Sequence, residues 1–360
     1  MGSMPTPPAE TALPKPWVET PLVFSAPLSR QVGCNIYLKL ENVQPSGSFK
    51  SRGIGNMMLQ SLLSSPPSSP DEQTQFLCSS GGNAGLACAT TALSFPNAKA
   101  IIVVPLSTSP FMIAKLQELG GVNGSVEVVQ AGESWVEADT YLREELLAKS
   151  EPGVRKVYVP PFDHPDVWTG ASSLVDELVQ QFPVDKKMDA VVCNVGGGGL
   201  VNGICQGIER HLKTLGARPK VLAIETVGAD SLYQSVQAGK LVTLPAITSI
   251  ATSLGARTVS NKTWEWACSY GEKQKDFISS TVTDREAARA CLRFLDDARI
   301  MVEVSCGATL APAYNGTLKE LLGKDLTEEE WKEKNVVLVV CGGSNVSWEI
   351  LEKYKQVFDL

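Results

Sequence analysis

Five short runs of almost wholly apolar residues, rich in β-branched side chains, set the strongest limit on what this chain can fold into. They lie at Ala100–Val104, Val126–Val129, Ala190–Val195, Val221–Glu225 and Val336–Val340. Strands buried on both faces of a parallel sheet have this composition, because helices cover both faces of such a sheet. Segments with helical spacing of apolar residues lie between the runs, at Asn83–Leu93, Glu133–Ala148 and Asp284–Ala298. The alternation predicts an α/β fold with parallel sheets.

The composition and charge of the chain exclude several classes of protein. Its 360 residues are too many for one small core and suit one or two domains. With 32 basic and 39 acidic side chains the formal charge is −7, so no nucleic-acid partner is expected. No apolar run approaches the roughly 20 residues that a membrane-spanning helix needs, so no membrane partner is expected either.

The nine cysteines indicate a reducing compartment. They contain no C-x-x-C pair and no secretory apolar segment precedes them, so neither a disulfide framework nor a zinc ribbon is predicted. The only two histidines, His164 and His211, argue against a histidine-rich metal site. The sequence therefore predicts a cytoplasmic protein with reduced thiols.

The first segment with chemical potential is Pro45–Gly53, in which Lys50 follows a turn of glycine and serine. The apolar residues after Lys50 predict that a helix begins there. The helix dipole and burial would both lower the pKa of the amine, which favours a nucleophilic neutral lysine. The alternative is an ordinary lysine in a helix cap, since most lysines are exposed.

Two glycine-rich segments are each suited to hold an anion. Ser79–Gly85 places small residues before a helix, and Gly196–Leu200 follows an apolar strand. Free N–H groups at a helix N-terminus bind phosphate or carboxylate, and glycine lets the backbone approach the anion closely. Gly196–Leu200 fits neither the G-x-G-x-x-G spacing nor a P-loop. The alternatives are a plain turn for the first segment and a flexible linker for the second.

The fourth segment, Cys341–Asn345, follows the last predicted strand. Open α/β sheets bind ligands at the carboxyl ends of their strands, so Cys341 is a candidate ligand contact. The alternative is an inert buried cysteine. Together the four segments indicate a phosphorylated cofactor bound covalently through Lys50, and a substrate that carries a carboxylate.

The four segments occur in the order SGSFKSRG, SSGGNAG, GGGGL and CGGSN. In this order they resemble the pyridoxal-phosphate enzymes of fold type II, and most of all the serine/threonine dehydratases, in particular the short catabolic serine dehydratases of fungal and animal type. The similarity extends from about Thr20 to about Glu349. It implies two parallel-sheet α/β domains like those of the tryptophan synthase β subunit, pyridoxal 5′-phosphate as the cofactor, and a small amino acid as the substrate.

The resemblance implies a role for each residue of the site. Lys50 would be the catalytic lysine, joined to the cofactor as a Schiff base and acting as the base at the substrate α-carbon. The residues implied to bind the cofactor are Phe49 against the ring, Asn83 at the ring hydroxyl, Cys341 at the ring nitrogen, and Gly196, Gly197, Gly198, Gly199 and Leu200 around the phosphate. The residues implied to bind the substrate carboxylate are Ser80, Gly81 and Ala84.

The resemblance also implies a monovalent cation, such as K⁺, beside the cofactor. Its ligands by position would be the Glu225 side chain and the carbonyls of Gly196, Ala229, Leu254 and Ala256. A homodimer is expected from the resemblance alone. We further expect a disordered arm at residues 1–16, a large cofactor-binding domain at 17–41 and 163–360, and a small domain at 42–162.

The implied reaction is that of an L-serine/L-threonine ammonia-lyase, a β-elimination that yields pyruvate or 2-oxobutanoate and ammonia. Four residues depart from the family pattern and leave the substrate side open: Pro160, Thr169, Ala171 and Val304. The alternatives are a β-replacement synthase or an amino-acid racemase on the same scaffold. A sensor that binds the cofactor without catalysis is a third alternative, but such a protein would not need Lys50.

Overall fold

The apolar runs of the sequence form strands of two sheets in the computed structural model, which describes residues 13–69, 71–121, 124–272 and 275–360. The strands of these residues are β1 (Leu22–Phe24), β2 (Asn35–Leu40), β3 (Gln73–Cys78), β4 (Ala98–Val104), β5 (Val126–Gln130), β6 (Val154–Tyr158), β7 (Ala190–Asn194), β8 (Lys220–Thr226), β9 (Phe277–Val282) and β10 (Asn335–Val340).

Helices connect most of these strands. The α-helices of the described residues are α1 (Ala26–Val32), α2 (Lys50–Ser64), α3 (Asn83–Ala92), α4 (Pro110–Gly120), α5 (Trp135–Tyr141), α6 (Pro165–Gln181), α7 (Gly199–Leu215), α8 (Ser231–Ala238), α9 (Asn261–Trp266), α10 (Asp284–Ala298), α11 (Val304–Asn315), α12 (Thr317–Leu322), α13 (Glu328–Lys332) and α14 (Trp348–Phe358). Shorter 3-10 turns lie at Glu41–Val43 and Thr252–Leu254, and π-helical turns at Leu142–Leu147 and Ala267–Glu272. None of the helices in the described ranges has the length and apolar character needed to cross a lipid bilayer.

The two sheets are almost entirely parallel. The larger has the strand order β1-β2-β10-β7-β8-β9, and the smaller has the order β5-β4-β3-β6. Only the short β1 runs antiparallel to its neighbour. Strands β7 and β10 are buried along their whole length, as expected where helices cover both faces. The predicted α/β fold with parallel sheets is confirmed.

All five predicted strands are confirmed, as β4, β5, β7, β8 and β10. The predicted helices at Asn83–Leu93 and Asp284–Ala298 are α3 and α10. The prediction at Glu133–Ala148 is partly wrong, because the α-helix ends at Tyr141 and the chain continues as a π-helix. A helical spacing of apolar residues does not distinguish these two hydrogen-bond patterns.

The division of the chain can be compared with the two sheets. All strands of the smaller sheet lie between Gln73 and Tyr158, inside the range 42–162 predicted for the small domain. The domain boundaries themselves stay a prediction. Of the predicted arm, residues 1–12 lie outside the described part of the chain. For residues 13–16 the prediction is wrong, because Leu13 packs on the core of the smaller sheet and Pro16 lies against Gly55 of α2.

Three of the four chemical segments follow carboxyl ends of strands. Ser79 follows β3, Gly196 lies just beyond β7, and Cys341 follows β10. Since β7 and β10 are neighbours in the larger sheet, their carboxyl ends meet at one edge. Ser344, beyond β10, donates a backbone hydrogen bond to Asn83 Oδ1, beyond β3, over 2.9 Å. The carboxyl ends of the two sheets therefore face each other.

Candidate active site

Lys50 is the first residue of α2, as its sequence context predicted. Lys50 as a whole is half-buried, and its amine donates a hydrogen bond to the carbonyl of Pro161 over 2.6 Å. Burial lowers the pKa of Lys50 from 10.5 to about 8, although nearby acidic groups, chiefly Cys78 and Glu303, offset part of the effect. Lys50 is therefore deprotonated far more readily than an exposed lysine, as a nucleophile or base requires.

A buried cluster of charges fixes α2 just after Lys50. Arg52 is fully buried and binds Glu41 and Glu177 through hydrogen bonds of 2.6 to 2.7 Å. Lys39, also fully buried, donates to Glu177 over 2.6 Å. Two cations and two anions balance, so the cluster ties α2 to β2, the adjoining 3-10 turn and α6 without leaving net charge in the interior.

The segment before α2 pairs with the segment after β10. Ser48 forms an antiparallel bridge with Gly342, and the Phe49 N–H donates to the Cys341 carbonyl over 3.1 Å. The centroid of the Phe49 ring lies 5.3 Å from Lys50 Nζ. The fold thus brings Phe49, Lys50 and Cys341 together, although Lys50 and Cys341 are far apart in sequence.

The thiol of Cys341 is buried and neutral. A hydrogen bond with Cys306, together with burial, raises the pKa of Cys341 well above its ordinary value. Asn194, the last residue of β7, donates to Cys341 Sγ over 3.2 Å. A neutral thiol is a weak donor and carries no charge, so it suits an unprotonated ring nitrogen better than a protonated one.

The loop after β3 places the predicted residues Ser80, Gly81 and Ala84 around the N-terminus of α3. The N–H of Gly82 donates to Ser80 Oγ over 3.3 Å. A Cβ at Gly85 would lie 1.9 Å from the Ser80 carbonyl oxygen, so this close turn requires glycine. The first N–H groups of a helix have no partner within the helix, so this loop can bind a carboxylate.

The loop Gly196–Leu200 joins β7 to α7. Gly198 has a φ of +101°, in the left-handed region that favours glycine. A Cβ at Gly197 would lie 2.3 Å from the Phe162 ring, and one at Gly198 would lie 1.7 Å from Thr263 Oγ1. The glycines therefore allow the backbone to lie against these neighbours, and they leave the N-terminus of α7 bare of side chains.

This loop fits the phosphate group that the sequence resemblance implies. Helix α7 has 17 residues, and both its dipole and its first N–H groups favour an anion at its N-terminus. The loop itself carries no acidic side chain, and Leu200 is buried in the core beneath it. With the low pKa of Lys50 and the neutral thiol of Cys341, the residues suit the phosphate, aldehyde and ring nitrogen of pyridoxal phosphate.

Sequence reasoning missed Glu303, which contacts a predicted site residue. Asn83 Nδ2 donates to Glu303 Oε1 over 3.0 Å, and Glu303 is only 2% exposed. A signal was available, because Glu303 is the one charged residue in the sequence between Ile300 and Leu318. A carboxylate alone in an apolar run indicates a buried charge with a specific partner.

Glu225, the predicted side-chain ligand of a cation, is fully buried. Its carboxylate accepts hydrogen bonds from the N–H groups of Leu232 and Tyr233 over 2.9 and 2.7 Å, at the N-terminus of α8. Burial raises the pKa of Glu225 to about 8. Of the predicted carbonyl ligands, Leu254 accepts from the N–H of Ala256 over 2.7 Å. Glu225 therefore has a capping role, and the cation stays a prediction.

The other predicted carbonyl ligands lie nearby. A Cβ at Gly196 would lie 3.1 Å from the Leu254 Cα, so these two segments touch. Ala229 follows β8 and donates its N–H to the Thr226 carbonyl over 2.8 Å. In the part of the chain that the structure describes, no group of three or more His, Cys, Asp or Glu side chains is arranged to hold a metal ion.

Two of the residues that depart from the family pattern serve the packing of α6 on α7. Thr169 Oγ1 accepts a hydrogen bond from Gln206 over 3.2 Å. Ala171 is buried against Gly203 of α7. A Cβ at Gly203 would lie only 2.5 Å from the Ala171 Cβ, so the two helices are in close contact there. Val304 is the first residue of α11 and is also buried. Thr169, Ala171 and Val304 therefore lie in the packing of helices.

Pro160 lines a cavity beside the site. The cavity has a volume of about 290 Å³ and is lined by residues 160–164 with Trp135, Arg143 and Tyr158. The carbonyl of Pro161 in its wall is the acceptor of the Lys50 amine. The cavity therefore adjoins the segment that contacts Lys50.

Comparisons with known proteins agree with this geometry. The family model "Pyridoxal-phosphate dependent enzyme" matches residues 15–342. An "L-serine dehydratase" of Saccharomyces cerevisiae is 39% identical over 90% of this chain and 94% of its own length. A "Serine dehydratase-like" protein of Rattus norvegicus is 42% identical over 93% of each.

Solved structures show the same similarity. A fungal L-serine ammonia-lyase from Rhizomucor miehei has a TM-score of 0.81 and 33% identity, covering 95% of this chain and 99% of its own. A threonine deaminase from Solanum lycopersicum has a TM-score of 0.74 and 27% identity, covering 95% of this chain and 83% of its own. The resemblance stated from the sequence is confirmed: this chain belongs to the pyridoxal-phosphate dependent enzymes of fold type II, in the serine/threonine dehydratase family.

Proposed function

We propose that this enzyme is an L-serine/L-threonine ammonia-lyase, which converts serine to pyruvate and threonine to 2-oxobutanoate with release of ammonia. The observation that carries the proposal is the position of Lys50. Its amine, with a pKa lowered to about 8, donates a hydrogen bond to the Pro161 carbonyl, while the neighbouring Phe49 N–H donates to Cys341 in the segment after β10. The names of the yeast and rat relatives and of the fungal structure support the substrate class.

When bound, pyridoxal phosphate supplies a carbonyl that reacts with amines and a conjugated ring that accepts electrons from a bond broken at the substrate α-carbon. We assign its phosphate to the loop Gly196–Leu200 at the N-terminus of α7. We assign Phe49 to the ring face, Cys341 to the ring nitrogen and Asn83 to the ring hydroxyl. The short contacts among the segments of these residues support the assignments.

Lys50 has two roles in the proposal. It holds the cofactor covalently between turnovers, and it takes the proton from the substrate α-carbon. Both roles need an amine that loses its proton near neutral pH. The lowered pKa, caused by burial at the start of α2, meets this need.

The loop Ser80–Ala84 would hold the substrate carboxylate through backbone N–H groups at the start of α3. Fixing the carboxylate orients the α-carbon toward Lys50, which is the main contribution that binding can make to proton transfer. The neutral Cys341 thiol leaves the ring nitrogen without a charged partner. Without a charged partner at its nitrogen, the ring withdraws electrons less strongly, which favours elimination over transamination.

The proposal is tested by supplying the purified holoenzyme with L-serine and L-threonine. We expect a 2-oxo acid and ammonia to form in equal amounts, measured by lactate dehydrogenase coupling for pyruvate and by glutamate dehydrogenase coupling for ammonia. Formation of D-serine, or incorporation of an added thiol without ammonia release, would support a racemase or a β-replacement synthase instead. No reaction with either amino acid would refute an ammonia-lyase.

The pKa of Lys50 gives a prediction for the apoprotein. Because burial lowers this pKa to about 8, the neutral amine becomes the major form above that pH and not only above 10.5. We expect the rate of covalent capture of pyridoxal phosphate, followed by absorbance, to rise with pH and to level off above a midpoint near 8. For an exposed reference lysine in a peptide, the capture rate should still be rising with pH in this range. Identical pH profiles for the protein and the peptide would contradict the burial of Lys50.

We also propose that the two sheets belong to two domains, at 42–162 and at 17–41 with 163–360, and that the cofactor lies between them. The facing carboxyl ends of β3 and β10 support this arrangement. A homodimer and a cytoplasmic location stay predictions from the family resemblance and from the cysteine content. A monovalent cation at Glu225 likewise stays a prediction.

A further inference from the structure

Glu303 is a buried carboxylate to which neither the sequence nor the proposed reaction assigns a role. It is only 2% exposed and precedes α11. Oε1 accepts from Asn83 Nδ2 over 3.0 Å, and Oε2 accepts from the Asn345 N–H over 3.1 Å. A buried carboxylate is costly unless it is well paired, and Glu303 is also hydrogen-bonded by the side chains of Ser253 and Ser305.

The loop after β10 is shaped to admit this carboxylate. Gly343 has a φ of +116°, and a Cβ on it would lie 2.0 Å from the Cδ of Glu303. Only glycine is compatible with both the backbone conformation and the nearby carboxyl group. The second glycine of the CGGSN segment is thus explained by Glu303 and not only by the cofactor.

The amide of Asn83 is held in one orientation by neighbours of opposite polarity. The Ser344 N–H donates to Oδ1 over 2.9 Å, while Glu303 accepts from Nδ2. An amide turned by 180° would place two donors together and two acceptors together. One hydrogen on Nδ2 remains, with Ser253 Oγ at 3.5 Å, the limit of a hydrogen bond.

We propose that Glu303 is a positioning residue, which orients the Asn83 amide so that its remaining N–H donates to the ring oxygen of pyridoxal phosphate. The inference rests on the assignment of Asn83 to the ring hydroxyl in the proposed function. It does not depend on which amino acid is the substrate. The contact joins Glu303, which precedes α11 beside the larger sheet, to Asn83, which begins α3 beside the smaller sheet.

A second set of contacts must be separated from this role. Lys115 of α4 donates to the Ser344 carbonyl over 2.6 Å, so it also connects the smaller sheet to the loop after β10. Burial lowers the pKa of Lys115, and the charge of Glu303 raises it in part. The alternative role for Glu303 is to hold the parts of the protein around the two sheets together. The variants below distinguish this effect from orientation of the Asn83 amide.

The test is the absorbance spectrum and cofactor affinity of Glu303→Gln. A glutamine has one oxygen and one NH₂ group, so either Asn83 or Asn345 loses its acceptor and faces a donor. We expect the dissociation constant of pyridoxal phosphate to rise about ten- to a hundredfold, the loss typical of one hydrogen bond to a charged group. We also expect the long-wavelength band of the bound cofactor to lose intensity to a shorter-wavelength band, since the ring hydroxyl then retains its proton.

Three further variants make the result specific. Asn83→Ala should give the same spectral change as Glu303→Gln, because both remove the oriented donor. Lys115→Met should leave the spectrum unchanged, because it removes a contact between the parts without touching the Asn83 amide. The double variant Asn83→Asp with Glu303→Gln restores the hydrogen bond with donor and acceptor exchanged. It should recover thermal stability relative to Glu303→Gln but keep the altered spectrum.

The outcomes separate the inference from the proposed function. An unchanged spectrum and affinity in Glu303→Gln, with a clear change in Asn83→Ala, would overturn the role of Glu303. An unchanged spectrum in Asn83→Ala would overturn the assignment of Asn83 and the inference with it. A change in Lys115→Met as large as that in Glu303→Gln would show that domain contact, not orientation, is responsible. Failure of serine turnover in the wild type would refute only the ammonia-lyase.

Discussion

Replacement of Lys50 by alanine is expected to lower serine turnover by about a thousandfold or more, because one side chain supplies both the covalent anchor and the base. The protein should remain folded, since the Lys50 amine makes one hydrogen bond, to the Pro161 carbonyl. Circular dichroism and the midpoint of thermal unfolding check the fold. Turnover is measured with L-serine under cofactor saturation.

Mass spectrometry provides the second readout. After borohydride reduction, the wild-type peptide that contains Lys50 should carry the added mass of the cofactor, and no peptide of Lys50→Ala should carry it. Lys50→Arg tests the base separately, because a guanidinium is too basic to give up its proton. It should be as inactive as the alanine variant. Partial rescue of Lys50→Ala by small primary amines would support the proton-transfer role.

The control is a lysine that lies away from the site. Lys99 of β4 pairs with Glu127 on the smaller sheet over 2.6 Å and has no contact with the segments of the site in the described residues. Lys99→Ala should keep wild-type turnover. Substantial serine turnover by Lys50→Ala, or a reduced cofactor adduct on another lysine, would contradict the central assignment.

The fold was predictable from sequence where strands are buried on both faces. The runs that became β4, β7, β8 and β10 are almost wholly apolar and rich in β-branched residues, which is the composition of strands covered by helices on both faces. Strand β6 was not predicted, since Arg155 and Lys156 interrupt its apolar pattern. Arg155 donates to the Ser61 carbonyl of α2, and Lys156 donates to the Leu146 carbonyl of the preceding π-helical turn, contacts that the strand's own pattern does not show.

The site was predictable as far as its backbone segments and not in its supporting contacts. The run of glycines that includes Gly198 was visible in the sequence as a local motif. Its contact with Thr263, which is remote in sequence, was not. Glu303 meets Asn83 across 220 positions of the chain, and Lys50 meets Pro161 across 111. Such contacts arise only when the two sheets face each other. The sequence could indicate that Glu303 was unusual but not what it binds.

Removal of the charge of Arg52 is expected to cause the largest loss of stability. In Arg52→Met the carboxylates of Glu41 and Glu177 stay buried while only Lys39 remains to balance them. Breaking a buried ion pair from one side typically costs about 3–5 kcal/mol. We expect a loss of this size in the free energy of unfolding, measured by urea denaturation of the apoprotein. Adding Glu41→Gln should restore part of it, because the remaining Lys39 and Glu177 then balance.

The pH dependence of this loss identifies its cause. Burial would raise the pKa of Glu177, but hydrogen bonds and charge from Arg52 and Lys39 outweigh it and hold the pKa below its ordinary value. A carboxylate of this kind stabilises the fold above its unfolded pKa of about 4.3, and the contribution is lost as pH falls through the folded pKa. The difference between wild type and Arg52→Met should therefore be greatest near neutral pH and narrow below about pH 4. A difference that stays constant on acidification would assign the loss to packing around α2 and not to charge.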